Sequence, residues 1–133
     1  MKRRSRIRDD RGQTMVEFTL VVPILLLILF GIIQFGIVYN NYLTLTDAVR
    51  VGARKAAVSR TEADPETFVK TALLNAADSL DRATLEPRVS ITAPVWQHGA
   101  DITVKASYPY EIDLLGLVVA SGELESEMVE RLE

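Results

Sequence analysis

The sequence predicts an α+β protein: a single N-terminal transmembrane helix extended into a long rod, with a small exported domain of one further helix and an antiparallel sheet of about three strands. Three observations lead there. No charged residue occurs from position 18 to position 46, and in residues 18–38 (FTLVVPILLLILFGIIQFGIV) only Thr19 and Gln34 are polar. Beyond that run, apolar residues recur at three- and four-residue spacing, the signature of an amphipathic helix. From Pro87 onward the period falls to two, as in half-buried strands.

The apolar run sets the anchor. At about 1.5 Å per residue, residues 18–38 span roughly 30 Å, the thickness of a bilayer's hydrocarbon core. A buried helix of a soluble domain is normally shorter and keeps a polar edge. Lys2, Arg3, Arg4, Arg6, Arg8 and Arg11 precede the run against Asp9 and Asp10, so the positive-inside bias keeps the N-terminus in the cytoplasm and exports the C-terminal part. A cleaved secretory signal would carry an apolar stretch of about 7–15 residues and a small-residue cleavage site. Here the run continues into Tyr39-Asn40-Asn41-Tyr42 with no such site. The expected organisation is a basic cytoplasmic leader over residues 1–12, a membrane span over 13–39, an extracytoplasmic continuation of the helix over 40–60, and an exported α+β domain over 61–133.

In the continuation, Tyr42, Leu45, Val49, Ala53 and Ala56 make one apolar face between Thr46, Asp47, Arg50, Arg54 and Lys55. A rod from about Glu17 to Ser59 follows, some 65 Å long. Gly52 weakens it by about 1 kcal/mol relative to alanine. Arg54, Lys55 and Arg60 suit the negative end of its dipole. A second helix opens at Asp64-Pro65-Glu66, with Asp64 as cap and Pro65 in the first position. Its stripe is Phe68, Val69, Ala72, Leu73, Ala76 and Leu80. Two strands then alternate through Val89, Ile91, Ala93 and Val95, and through Ile102, Val104, Ala106 and Tyr108, around a Gln97-His98-Gly99-Ala100 turn. Pro94 points to an edge or a bulge. A third strand is expected at residues 123–132, where Leu124, Met128 and Leu132 share a face. The run Leu114-Leu115-Gly116-Leu117-Val118-Val119, ahead of the Ser121-Gly122 turn signal, reads as folding back into the core. Its alternative is an exposed patch that meets another subunit.

Composition excludes several classes of function. The chain has no cysteine, which removes disulfides and thiolate chemistry. The net charge is −3, and residues after position 46 carry nine basic against fifteen acidic side chains, so no nucleic acid is expected as a partner. Nothing points to an enzyme or a cofactor. His98 is the sole histidine and sits in a Gly-containing turn. Ser59, Ser79, Ser107 and Ser121 lie in no nucleophile motif. Asp101, Glu111 and Asp113 have the chemistry to pair or to hold a hard cation, but read as solvated loop acids, and no acid or histidine cluster has metal-ligand spacing.

The stretch Gly12-Gln13-Thr14-Met15-Val16-Glu17-Phe18, between the arginines and the apolar run, carries the functional signal. Residues 11–57, RGQTMVEFTLVVPILLLILFGIIQFGIVYNNYLTLTDAVRVGARKAA, resemble the N-terminal region of TadE-like proteins. These are pseudopilins, or minor pilins, of the tight-adherence (Tad, or Flp pilus) branch of the type IV pilus and type II secretion superfamily. The resemblance covers about a third of the chain and rests on Gly12, Glu17 and Phe18, the helix with Pro23, and Asp47-Ala48-Val49-Arg50-Val51-Gly52-Ala53-Arg54. It implies a pilin-like fold and cleavage between Gly12 and Gln13 by a prepilin peptidase on the cytoplasmic side. As partners it implies other pilins or pseudopilins of the Tad system, the inner-membrane assembly platform and the lipid bilayer. The location it implies is the bacterial inner membrane, or the pilus after processing.

Cleavage there would leave Glu17 about 7 Å along the helix from the new amine. A carboxylate at the membrane edge is costly unpaired, and the N-terminal ammonium of a neighbouring subunit would neutralise it during assembly. The plainer reading is an acid favoured by the helix dipole. Pro23 removes one backbone donor and crowds the Thr19 carbonyl, which marks a kink in the span. Gly31 and Gly36 are five apart and do not make a G-x-x-x-G face. A domain of this size departs from the short major pilins of the family, which favours a minor or priming subunit. The competing expectation is a membrane-anchored binding module or adhesin that never enters a filament.

Overall fold

Helix α1, Arg6–Ala57, runs unbroken from the basic leader through the apolar run and into the folded head, 52 residues or about 78 Å. The computed structural model describes residues 6–114 and 116–133, with side chains from Gly12 onward. Lys2, Arg3 and Arg4 of the leader lie outside the described residues, and of residues 6–11 only the backbone is described. The rod is thus longer at its N-terminal end than expected, because nothing from Arg6 to Glu17 breaks a helix except Gly12. Its far end is closed by a 3₁₀ turn at Ser59–Thr61, where the buried Ser59 hydroxyl donates to the Ala56 carbonyl at 2.9 Å. That bond meets one of the carbonyls a helix end leaves free.

Asp64 caps α2 (Pro65–Ala76) by accepting from the Thr67 amide at 3.2 Å, with Pro65 in the first turn as expected. Two elements were not legible in the sequence. Asp81 caps a four-residue helix α3 (Arg82–Leu85), accepting from the Thr84 amide at 2.9 Å, and a 3₁₀ turn at Glu86–Arg88 follows. Strand β1 (Val89–Thr92) is shorter than expected and lies at the edge of the sheet, which ends it before Pro94 and leaves Val95 exposed. The sheet order is β1-β2-β3, antiparallel throughout, with β2 at Asp101–Leu114 and β3 at Leu117–Arg131.

The upper end of α1 forms the core with α2 and the sheet. Leu45, Ala48, Val49, Ala53 and Ala56 meet Val69, Leu73, Leu74, Ile102, Val104, Ala106 and Leu132, all buried. Tyr42, expected on that face, is largely exposed, and Ala48 takes the place in the stripe. Gly52 has a packing reason. A Cβ there would lie 3.2 Å from the Leu73 Cβ and 3.5 Å from a Val104 methyl, so its small size lets α1 lie close against α2 and β2. Leu80 and Leu85 are buried under the α2–α3 segment, and Tyr108 ties that segment to β2 by accepting from the Asp81 amide at 3.2 Å. The C-terminus is pinned to the top of α1, where the Glu133 amide donates to the Ala57 carbonyl at 3.0 Å.

Of the apolar run, Leu114 and residues 116–119 do not fold back into the core. They form the tip of a long β2–β3 hairpin, with Leu117 71%, Val118 57% and Val119 58% exposed. The turn falls at Gly116, whose φ of 86° is left-handed, and Leu114 pairs with Leu117 across it. Gly122, which reads as a turn residue, instead lies within β3 opposite Tyr110. A Cβ there would sit 3.0 Å from the tyrosine ring, so the glycine makes room for it.

Candidate functional site

Along α1, Gly12, Gln13, Glu17 and Phe18 occupy consecutive turns of a single helix. Gln13 and Glu17 are one turn apart on one face, and the Gln13 amide Nε2 donates to Glu17 Oε1 at 3.0 Å. The carboxylate therefore has a neutral partner within the chain. Gly12 and Gln13 are both helical, so the bond between them is enclosed in regular backbone hydrogen bonding. Phe18 follows Glu17 and is 69% exposed, pointing away from the rest of the chain. Thr19 Oγ1 donates back to the Met15 carbonyl at 2.8 Å, and Pro23 lies within the continuous helix four residues on.

The segment beyond is a cylinder of uncovered apolar side chains. Its most apolar window has no buried residue, which separates it from the core helix of a soluble protein. Leu20, Ile24, Leu25, Ile28, Ile32 and Phe35 all stand free of the head. Phe35 and Tyr39 stack one turn apart, ring centroids 6.4 Å apart. Among the described residues one helix, near the N-terminus, is long and apolar enough to cross a membrane. No charge interrupts it between Phe18 and Thr46.

Gln34 is the polar residue whose role the sequence left unread. Its Nε2 donates to the Asp113 carbonyl at 3.0 Å, tying the hairpin tip to the middle of the helix. Gly31, Gln34, Val38 and Asn41 are partly covered at three- and four-residue spacing, continuing the buried face of Leu45 and Ala48 downward. A lone amide in an apolar run was the available signal. It named no partner, because the partner is a backbone carbonyl far along the chain.

The other candidate residues do not converge. Asp101 sits at the start of β2 and is bound by Arg131, Nε to Oδ1 at 2.9 Å, directly across the sheet. Hydrogen bonding and then the charge of Arg131 hold its carboxyl below the usual range. Asp113 lies twelve strand residues away, about 40 Å, and its carboxylate accepts from the Gly116 amide at 2.7 Å. Glu111 and His98 are exposed. Among the described residues no group of acids or histidines is placed to hold a metal ion. Lys55, expected to serve the helix dipole, also lies 5.9 Å over the Phe68 ring.

No curated protein and no solved structure matches the chain. Residues 12–54 match the family model described as TadE-like protein, a segment that opens at Gly12, includes Glu17, Phe18 and Pro23, and closes at Arg54 in the buried part of the rod. That segment, about a third of the chain, is what the protein shares with the TadE-like proteins.

Proposed function

We propose that this chain is a minor pilin, or pseudopilin, that takes part in assembly or priming of a Tad/Flp-type pilus after cleavage between Gly12 and Gln13 by a prepilin peptidase. The observation that carries the reading is the match beginning at Gly12 on a helix whose apolar length is uncovered. In this reading the arginine-rich leader stays in the cytoplasm, residues 13–39 span the inner membrane, and residues 40–133 stand outside it. The bilayer covers the apolar cylinder first. Helices of other Tad pilins or pseudopilins, delivered at the assembly platform, cover it afterwards.

The helical state of Gly12 and Gln13 adds a step. A protease cleft takes its substrate extended, so the first turns of α1 must unwind. Gly12 is the position where that costs least, being about 1 kcal/mol poorer in a helix than alanine. Cleavage then leaves an ammonium on Gln13, one turn from Glu17, and the neutral bond from the Gln13 side chain has a charged competitor. Pairing between that carboxylate and the ammonium of a neighbouring subunit draws the two chains into register.

The test is the mass of the N-terminal peptide of the protein from membranes containing the matching peptidase, beside a Gly12→Arg variant. The expected result is a start at Gln13, cyclised or free, in the wild type alone. An intact leader in both overturns the processing step and leaves an anchored binding module as the reading.

A further inference from the structure

The β2–β3 hairpin outruns the core to which it belongs. Strand β1 covers β2 only at residues 103–106, whereas β2 and β3 stay paired as far as Leu114 and Leu117. Two contacts fix its course along α1. Val104 lies beside Gly52, and the Asp113 carbonyl is bound by Gln34. Eighteen helical residues rise about 27 Å and nine strand residues about 30 Å, so β2 descends nearly parallel to the helix axis. Asp113 and its partner Val118 are therefore level with Gln34, four residues or about 6 Å inside the apolar run that ends at Val38, and the turn at Gly116 reaches about 6 Å deeper.

The composition of the hairpin changes at the same level. Tyr110 stands about 10 Å above Asp113, level with Tyr39 and Tyr42 on the helix. Such a ring of tyrosines is typical of the boundary between headgroups and hydrocarbon. Above it the strands carry Glu123, Glu125 and Glu127. Below it come Glu111 and Ser121, and then Ile112, Leu114, Leu117, Val118, Val119 and Ala120, with Asp113 as the one acid beyond Glu111 among the described residues. Leu117, Val118 and Val119 are more than half exposed.

We propose that the hairpin tip, residues 112–114 and 116–120, is inserted beside the span into the leaflet on the exported side, a second and shallow contact of the protein with lipid. The proposal rests on the reading of residues 18–38 as membrane-spanning. Open strand edges are not tolerated deep in hydrocarbon, and a depth of about 6 Å at Val118 and about 12 Å at the turn keeps the tip within one leaflet of a core about 30 Å thick. Two of the turn's backbone groups are met within the chain, the Asp113 carbonyl by Gln34 and the Gly116 amide by the Asp113 carboxylate. Anchored at two points, the head is held in one orientation over the membrane instead of swinging on the helix.

The absence of cysteine makes the test direct. Full-length protein with Val118→Cys, Ile28→Cys or Val95→Cys, each at an exposed site, is labelled with an environment-sensitive fluorophore. Each is reconstituted at high lipid excess in phosphatidylcholine–phosphatidylglycerol vesicles carrying nitroxides at shallow or deep positions. The expected result is blue-shifted emission at 118 quenched more by the shallow nitroxide, quenching at 28 by the deep one, and quenching at 95 by aqueous iodide alone. Position 118 behaving like 95 while 28 meets the deep nitroxide overturns the insertion and leaves the span intact. Shielding of 118 from both lipid nitroxide and iodide also overturns it, in favour of a protein partner. Loss of lipid quenching at 28 as well removes the span, and the hairpin proposal with it. Circular dichroism of each labelled protein confirms that the fold is retained.

Discussion

At the scale of single residues, Glu17 separates assembly from anchoring. A carboxylate three turns into α1 lies beyond the reach of the helix dipole, and in the intact chain it is met by the Gln13 side chain. That contact requires no neighbour. Glu17→Gln preserves size and hydrogen bonding but removes the charge. If the carboxylate meets the ammonium of another subunit, deleting one partner of that desolvated pair costs about 3–5 kcal/mol, roughly two orders of magnitude or more in subunit addition. The expected outcome is normal cleavage at Gln13, by peptide mass, with filaments nearly absent by electron microscopy. Normal filament yield would leave Glu17 with no role beyond its contact to Gln13. The sequence made this residue visible because an acid beside an uncharged run is conspicuous. Gln34 was equally conspicuous, but its partner Asp113 is brought to it only by the course of the hairpin.

At the scale of elements, the two capped helices link the fold to pH. Asp64 and Asp81 are each held below the ordinary carboxylate range, first by the Thr67 and Thr84 side chains and then by the same residues' backbone amides. Asp101 at the start of β2 is held low by Arg131. A depressed native value means that the stabilisation is present above the unfolded value, about pH 3.9, and is lost as pH falls through the native values. Thermal unfolding followed by circular dichroism should therefore be flat in these groups from pH 7 to about 5 and fall below about pH 4. In Asp64→Asn/Asp81→Asn the acid-side fall should be shallower. An unchanged slope would mean that the caps contribute nothing through charge. The cap of α2 was legible because Asp-Pro-Glu precedes a long stripe. The cap of α3 was not, since four residues are too few to show a period. The hairpin was legible only where it alternates. From Leu114 to Val119 apolar residues are continuous, so neither the pairing nor the turn at Gly116 could be separated from a core segment, and Ser121-Gly122 drew the turn to the wrong place. Glycine serves turns and close packing alike, and Gly122 belongs to the second use.

At the scale of the whole molecule, the rod is both anchor and core, and no boundary between the two falls at a break in the helix. Leu45, Ala48, Val49, Ala53 and Ala56 are fully buried, and they cover Leu73, Ile102, Val104 and Leu132 from one side. Burying Leu45 and Val49 alone contributes about 1.5–3 kcal/mol each, and the side chains they cover would be re-exposed along with them. Against a net stability of about 5–15 kcal/mol for a domain, that loss is decisive. A fragment of residues 61–133 should therefore be unfolded, without a cooperative thermal transition, although it contains every strand. A fragment of residues 41–133 keeps the buried stripe and the Gly52 contact and should melt cooperatively. It also carries the hairpin tip without the helix segment that holds Gln34, leaving Leu117, Val118 and Val119 in water. Dye binding to apolar surface should then be strong in residues 41–133 and fall on Val118→Asp without loss of the melting transition. A cooperative transition in residues 61–133 would show that the stem is only a tether, and that the head folds without the helix that carries it.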